Sequence, residues 1–423
     1  MDIFRSYDIR GLYPKELNEE NALKIGRAIG TLVKNKPVFV NYDNRAGSIE
    51  IKQNFVSGLL MSGATVYELG MGPVTVSAFA SFMEKAYGIC ISASHNPKEY
   101  TGILAYKNGV TVTPEPIKKI YKSGKFRNKY GKPIPFSYDE KYIEYITNGI
   151  GKLDLKVGID SMGGSTTYLA PFVFDKAGAK VSSLRTTPSS NFYGKTPEPL
   201  KENARELGEL VRRHGLDMGL QLDADGDRCL IVDETGKALD PMVTAMILIK
   251  YLKLKRTAAT IACSSHLEKY TKIKYTRTGR PNVEAELKTG KYDFGVETSA
   301  HFYFGRYYPF SDGVLTGLLI AGIIKRTGKN LSVLTEEFPK IYYINKALKF
   351  DGIEKISKKM RMITQKLKPY KKQIKIDGIK IPFNDGFMLF RPSNTEPLIR
   401  VYYEGTDEKA LRRIGKLVDA VIK

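Results

Sequence analysis

One pattern restricts the fold of this chain more than any other: strand, helix and strand recur in the same order at two distant places. Between residues 36 and 69, "PVFVNYD" is β-branched and ends on Asp43, "SIEIKQNFVSGLLMSG" has apolar residues at helical spacing, and "ATVYEL" reads as a second strand. Residues 155–184 repeat the plan as "LKVGID", "SMGGSTTYLAPFVFDKAG" and "AKVSSL". Both helices stop at a Gly-Ala pair, Gly63-Ala64 and Gly178-Ala179, where glycine supplies the left-handed backbone that ends a helix. A third copy runs from "TAATIACSS" through a helical "HLEKYTK". Such repetition predicts related α/β domains with mainly parallel sheets. The last part reads differently: strand, helix, a Gly/Asp-punctuated hairpin "IKIDGIKIPFNDGFMLF", strand "LIRVYYEG" and a final helix, which is α+β. With 423 residues the chain exceeds one ordinary core. The expected division is 1–150, 151–245, 246–342 and 343–423: three related α/β domains and a smaller α+β one.

The net charge is +22, which suits nucleic acid, an anionic membrane surface or phosphorylated small molecules. In "EKISKKMRMITQKLKPYKKQIKI" the lysines alternate with apolar residues at helical spacing, as on a solvated helix face. No aromatic-studded binding motif accompanies the charge, so no nucleic acid is expected. No apolar run approaches the ~18 residues of a membrane helix, and "MDIFRSYDIRG" lacks the form of a signal peptide. Cys90, Cys229 and Cys263 are scattered through strand-like runs, as small buried residues rather than a disulfide or zinc framework. These features predict a cytoplasmic protein without membrane partners, monomeric or homodimeric.

The sharpest chemical signal is "LDADGDRCLIVDE", residues 222–234. Asp223, Asp225 and Asp227 alternate, so an extended turn aims three carboxylates at one point, where they repel unless a hard cation sits among them. Glu234 completes the spacing of an EF-hand loop. Arg228 stands where that loop requires glycine, however, and the flanks read as strands. A metal site between two strands is the expectation.

In "GICISASHNPKEYTG", Ser94 sits at the tip of a turn that follows a buried strand. His95 is not expected to act as its base, since neighbours in extended chain point opposite ways. The G-x-S-x-G elbow of hydrolases is absent. Alone, Ser94 reads as a serine closing a turn. "RPSNTEPLIR" gathers Arg391, Ser393, Asn394, Thr395 and Arg400 around a proline-constrained turn, the donors a phosphate dianion needs, though a capped turn would look the same. In "VETSAHFYF", Glu297 and Ser299 are two residues apart and would face one side of an extended segment, able to meet vicinal sugar hydroxyls; alone they read equally as a surface turn.

Together, "FRSYDIRG", "SASHNP", "KTPEPLKENARELGELV", "LDADGDR", "VETSAH" and "RPSNTEP" occur in an order that resembles the α-D-phosphohexomutases, specifically the phosphomannomutase/phosphoglucomutase branch. The resemblance spans nearly the whole chain and implies four domains around a central cleft. It implies that phosphorylated Ser94 gives its phosphoryl group to a hexose 1- or 6-phosphate (mannose and/or glucose). The resulting 1,6-bisphosphate, which also serves as activator, turns and returns its other phosphoryl group. It further implies one Mg²⁺ on Asp223, Asp225, Asp227 and Ser94, with Arg228, Arg10 and His95 beside the reacting group. Tyr7, Glu297, Ser299, His301 and Arg280 would meet the sugar, and Arg391, Ser393, Asn394, Thr395 and Arg400 the distal phosphate. The near alternatives are a phosphoglucosamine mutase, against which "FRSYDIRG" speaks, and a phosphosugar-binding protein with weak or no catalysis. Departures leave the sugar preference open. Leu104 replaces the family's acid–base lysine, with Arg10, Lys98 and Lys107 the neighbouring cations. Val296 and Ala300 replace glycines, Arg280 replaces a histidine, and "IACSS" stands where a sugar-contacting lysine is usual.

Overall fold

The strand Val38–Tyr42 pairs in parallel with Thr65–Met71 on one side and Tyr87–Ile91 on the other, the pairing that the first repeat predicts. This is the centre of a sheet ordered Ile9–Leu12, Tyr100–Lys107, Tyr87–Ile91, Val38–Tyr42, Thr65–Met71 and Lys132–Pro135, with Val110–Thr111 at its side. Tyr100–Lys107 returns antiparallel along Tyr87–Ile91, so the connection between them hangs from the sheet's edge and carries Ser94. The computed structural model describes residues 2–393 and 397–423.

The second sheet is ordered Cys229–Asp233, Met218–Leu222, Lys156–Asp160 and Lys180–Leu184. Its last three strands run parallel, while the first two form an antiparallel hairpin whose tip is the acidic loop. A third sheet joins Lys272–Thr276, Arg256–Thr260 and Phe294–Val296 in parallel, then adds Phe302–Phe304 and Tyr308–Ser311 antiparallel. The fourth, Tyr342–Lys349, Leu398–Gly405, Gly386–Pro392 and Ile379–Phe383, is antiparallel throughout. Mixed α/β build with parallel sheet centres and a distinct final α+β unit is what the sequence predicts.

Gly63 and Gly178 both take φ of 81°, the left-handed stop expected of them. Two predicted helices are shorter than their sequences suggest. In the second repeat the helix covers only Leu169–Lys176, because Met162 and Gly163 adopt left-handed backbone and turn the preceding residues into a loop. In the third repeat the connection is a 3₁₀ turn, Ser265–Lys269, too short to bury an apolar stripe.

A continuous apolar core links the first three units, holding Phe79, Phe174, Phe310 and Leu318 together. The fourth unit has its own core around Ile363, Val401 and Ile414. It joins the third through a small apolar cluster of Ile261, Ala262, Phe387 and Leu389 and through polar contacts: the Ser265 hydroxyl donates to Glu404 over 2.7 Å, and the buried Lys380 ammonium donates to the Cys263 carbonyl over 3.0 Å. All three cysteines are buried and free. In the helix Ile353–Lys366, Lys355, Lys358 and Lys366 are exposed and Ile356 and Ile363 face the core, as on a solvated basic helix; Lys359 is half-buried and donates to the Ile422 carbonyl. Among the described residues no helix is long and apolar enough to cross a membrane.

Candidate active site

The tip of the second sheet's hairpin buries three carboxylates. Oxygens of Asp223, Asp225 and Asp227 lie within 4.8 Å of one another. The flanking elements are strands, which removes the EF-hand reading. Burial and the two neighbouring carboxylates raise the Asp223 carboxyl well above its ordinary range. Burial and Asp227 push Asp225 up to about 6. Against the same effect of burial, His301 and Arg280 hold Asp227 well below its usual value. Asp225 Oδ1 and Asp227 Oδ1 are buried without a hydrogen-bond partner. Three hard oxygen donors converging, two of them with an unused buried oxygen, fit a divalent cation such as Mg²⁺.

Ser94 approaches this cluster from the first sheet. Its Oγ–H donates to Asp223 Oδ2 over 3.3 Å, and Ser92 Oγ–H donates to Asp225 Oδ2 over 3.2 Å. The serine and the acidic loop, 129 residues apart, therefore meet. His95 does not point away from Ser94 as a neighbour in extended chain would. Ser94 has φ of 50°, left-handed rather than extended, so neighbouring side chains no longer diverge. His95 Nδ1 lies 3.4 Å from Ser94 Oγ and accepts from Arg228 Nη2 over 2.8 Å. Burial, then Arg228 and Arg10, keep the imidazole well below its ordinary value, hence neutral.

Arg228 connects the layers. Its Nη1 donates to Glu198 over 3.1 Å and its Nε to His301 Nε2 over 3.3 Å. A backbone bridge pairs Arg228 with His301, fastening the acidic hairpin to the third unit's loop. His301 Nδ1 is 2.9 Å from Ser299 Oγ. A cavity of about 430 Å³ opens here, lined by His95, Glu198, Arg228, Ser299, Arg391 and Arg400 among others. That size suits a small-molecule ligand, and all four units contribute to its wall.

Several expected contacts differ. Glu297 faces inward rather than beside Ser299: its oxygens accept from the Tyr303 hydroxyl over 2.6 Å and the Gly279 amide over 3.2 Å. The segment does not alternate as an extended strand would, because the chain turns at Thr298 and Ser299 and Ala300 takes φ of 65°. That is the conformation a glycine would favour, so the loop keeps a glycine-like bend despite the methyl group. Arg280 pairs with Asp227 instead of lining the cavity. Arg10 is held by Asp8 at 2.7 Å and by Asn96, without a bond to Ser94 itself. Tyr7 donates to the Thr278 carbonyl over 3.0 Å, joining the first unit to the third. Leu104 is buried in the core opposite Cys90. Lys107 lies over the Tyr87 ring, at the end of that strand remote from Ser94, and Lys98 is exposed. Arg391 pairs with Asp377 at 3.4 Å, and the Ser393 amide donates to the Leu398 carbonyl over 2.9 Å. Asn394 and Thr395 lie outside the described residues.

Three contributors were not singled out from the sequence: Glu198, Ser92 and Arg45. Glu198 stands inside "KTPEPLKENARELGELV", and Ser92 precedes Ser94 by the two residues that return a side chain to the same face. Arg45 follows Asp43, the carboxylate that ends a parallel strand, where α/β folds gather their polar loops.

Comparison with known proteins gives a consistent result. Models of phosphoglucomutase/phosphomannomutase alpha/beta/alpha domains I, II and III match residues 1–130, 140–236 and 240–342, and that of the C-terminal domain matches 344–421. A probable phosphoglucosamine mutase of Thermococcus gammatolerans is 31% identical, covering 99% of this chain and 98% of that protein. A phosphoglucomutase/phosphomannomutase of Thermococcus kodakarensis is also 31% identical, over 98% of this chain and 97% of its own. The crystal structure of a phosphoglucomutase/phosphomannomutase family protein from Burkholderia thailandensis superposes with a TM-score of 0.91 at 26% identity, covering 100% of this chain and 97% of that one. With four matched domains in family order along nearly its whole length, the chain belongs to the phosphoglucomutase/phosphomannomutase family and is an intramolecular phosphotransferase of the α-D-phosphohexomutase superfamily.

Proposed function

We propose that this enzyme interconverts hexose 1-phosphate and hexose 6-phosphate, with mannose and/or glucose as the sugar, through phosphorylated Ser94 and a 1,6-bisphosphate. The observation that carries the reading is the approach of Ser94 Oγ to within 3.3 Å of Asp223 at the head of the buried triad. Phosphoryl transfer depends on positioning and charge neutralisation more than on a strong base. Asp223, Asp225 and Asp227 would hold one Mg²⁺, which when bound neutralises charge on the group in transfer.

The chain's own groups supply the rest. In the first half-reaction the P–Oγ bond of phosphorylated Ser94 breaks as a sugar hydroxyl oxygen bonds to phosphorus; the sugar hydroxyl gives up its proton and Ser94 Oγ takes one up. In the second, Ser94 Oγ attacks the other phosphoryl group of the bisphosphate as the bond between that phosphorus and the sugar oxygen breaks, and the sugar oxygen leaves as a hydroxyl once it takes a proton. The Ser94 hydroxyl proton then has an acceptor within reach in Asp223 Oδ2, since His95 Nδ1, 3.4 Å away, already accepts from Arg228. Arg228 orients His95 and stands beside the transferring group. Arg391 and Arg400, with the 393–395 segment, would grip the phosphate that is not reacting, and that binding energy is available to the transition state. Ser299 and His301 would meet the sugar.

A glucosamine phosphate is the second reading, favoured by the printed names of curated relatives such as that of Thermococcus gammatolerans. Coupled assays with mannose, glucose and glucosamine phosphates separate the two; turnover of glucosamine 1-phosphate alone would transfer the assignment. Intact mass before and after phosphatase treatment, with the site mapped, tests the carrier. Ser94→Ala is expected to lose the labile phosphate and to lower kcat by ~10³-fold or more. Activity surviving that substitution, or phosphosugar binding by the parent without turnover, would defeat the mechanism.

A further inference from the structure

The turn that presents Ser94 is wrapped around a buried cation. Ser94 adopts φ of 50°, a conformation that costs a residue with a Cβ roughly 1–2 kcal/mol and persists only where its surroundings impose it. Those surroundings are the guanidinium of Arg45, whose side chain has 0% exposure. Nη2 donates to the carbonyls of Ser94 and Asn96, the latter over 2.8 Å. Nη1 donates to the carbonyls of Pro97 over 2.8 Å and Tyr100 over 3.2 Å. Nε donates to Asp43 Oδ2 over 3.1 Å. Every N–H of the fork is therefore matched, four of them by carbonyls of one turn.

The cation is itself fixed. Asp43 accepts from the Arg45 amide over 3.1 Å and from Ser48 Oγ over 2.6 Å, and its own amide donates to Ile91, three residues before Ser94. The Phe192 ring from the second unit lies 4.9 Å from the guanidinium carbon. Phe192 is fully buried and has φ of 51°, so a second left-handed residue is held against the same group. Asn44 Nδ2 donates to the Gly163 carbonyl over 2.7 Å, tying this segment again to the unit that carries the acidic loop.

We propose that Arg45 is a positioning residue for phosphoryl transfer: it locks the turn of residues 94–100 so that Ser94 Oγ faces Asp223, and couples that turn to the metal-bearing unit through Phe192. This rests on the phosphoserine reading above. A lysine keeps the charge but has no planar fork, so it cannot hold four carbonyls at once. A displacement of about 1 Å at the nucleophile is enough to cost ~10²-fold in rate.

The test compares dephosphorylated parent and Arg45→Lys after mixing with glucose 1,6-bisphosphate. The rate of phosphate entry at Ser94 is followed by intact mass, beside kcat, KM, Mn²⁺ affinity and amide exchange over residues 94–100. Phosphorylation rate and kcat are expected to fall ~10²-fold, with KM and Mn²⁺ affinity essentially unchanged and exchange in the turn accelerated. A folded lysine variant with the parent's rate overturns the proposal. So does a parallel loss of KM and metal affinity, the mark of a general structural role. Should Arg45→Lys not fold, Phe192→Leu serves. It removes the ring beneath the cation and is expected to slow phosphorylation by a smaller factor, and an unchanged rate would overturn the coupling. A parent protein that never takes phosphate on Ser94 refutes the phosphoserine reading instead; unchanged exchange in the turn refutes the lock independently.

Discussion

Glu284 is buried in the helix Arg280–Lys288 and accepts from the Thr111 amide over 2.7 Å and the Thr111 hydroxyl over 3.0 Å, so a single carboxyl joins the first unit to the third. Burial raises its pKa to about 7 from 4.5, although Arg280 and the Thr111 bonds oppose the change. The folded protein thus binds a proton there that the unfolded chain releases. The stabilisation is complete below about 4.5 and is lost as pH rises through about 7, by up to roughly 3 kcal/mol for one group. Glu284→Gln is expected to flatten the stability profile between pH 5 and 8 and to leave the variant more stable than the parent at the alkaline end. Urea unfolding across that range measures it; an unaltered profile would show that Glu284 stays ionised. The reading of Ser94 also turned at single residues. The sequence singles out the serine and its histidine neighbour, but a left-handed φ at residue 94 reverses the inference about how they face one another.

Among elements, the connections carry the chemistry and the regular segments hold them in place. The loop leading into the helix Arg280–Lys288 is one case. Gly279 has φ of 113°, and a Cβ there would come within 2.7 Å of the Tyr7 ring. Gly279→Ala is therefore expected to displace Tyr7 and the Thr278 carbonyl it binds, to destabilise the protein by about 1–3 kcal/mol and to raise KM for phosphosugars. Calorimetry with steady-state kinetics checks both, and a variant matching the parent would show that the first and third units meet more loosely there. The strands and the first helix of the repeats were legible because apolar alternation and Gly-Ala stops are local signals. Shortening of the second and third connections was not, since the left-handed turn at Met162 and Gly163 follows from packing around the acidic hairpin.

Across the whole molecule, the acidic triad concentrates negative charge at the meeting of the first three units. Metal binding should therefore stabilise the native state as a whole. At Mg²⁺ or Mn²⁺ a hundredfold above Kd, the gain is about 2.7 kcal/mol. Asp225→Asn is expected to raise the melting temperature without metal, by relieving carboxylate repulsion, and to abolish the increment that metal brings. Scanning calorimetry with and without EDTA decides it; an increment that survives in the variant would locate the stabilising ion elsewhere.

The order of elements and the types of group that could carry phosphoryl chemistry were readable along the chain, because periodicity, helix stops and clustered carboxylates depend on neighbours a few residues apart. Which of those groups meet was not, because it depends on long loops closing over one core. Arg280 turning to Asp227, Glu297 taken up by Tyr303 and Gly279, and Arg45 inside the Ser94 turn are choices between partners that local sequence leaves equally open. Burial settles them, since a charge taken out of water must find its hydrogen bonds among whatever the fold has brought beside it.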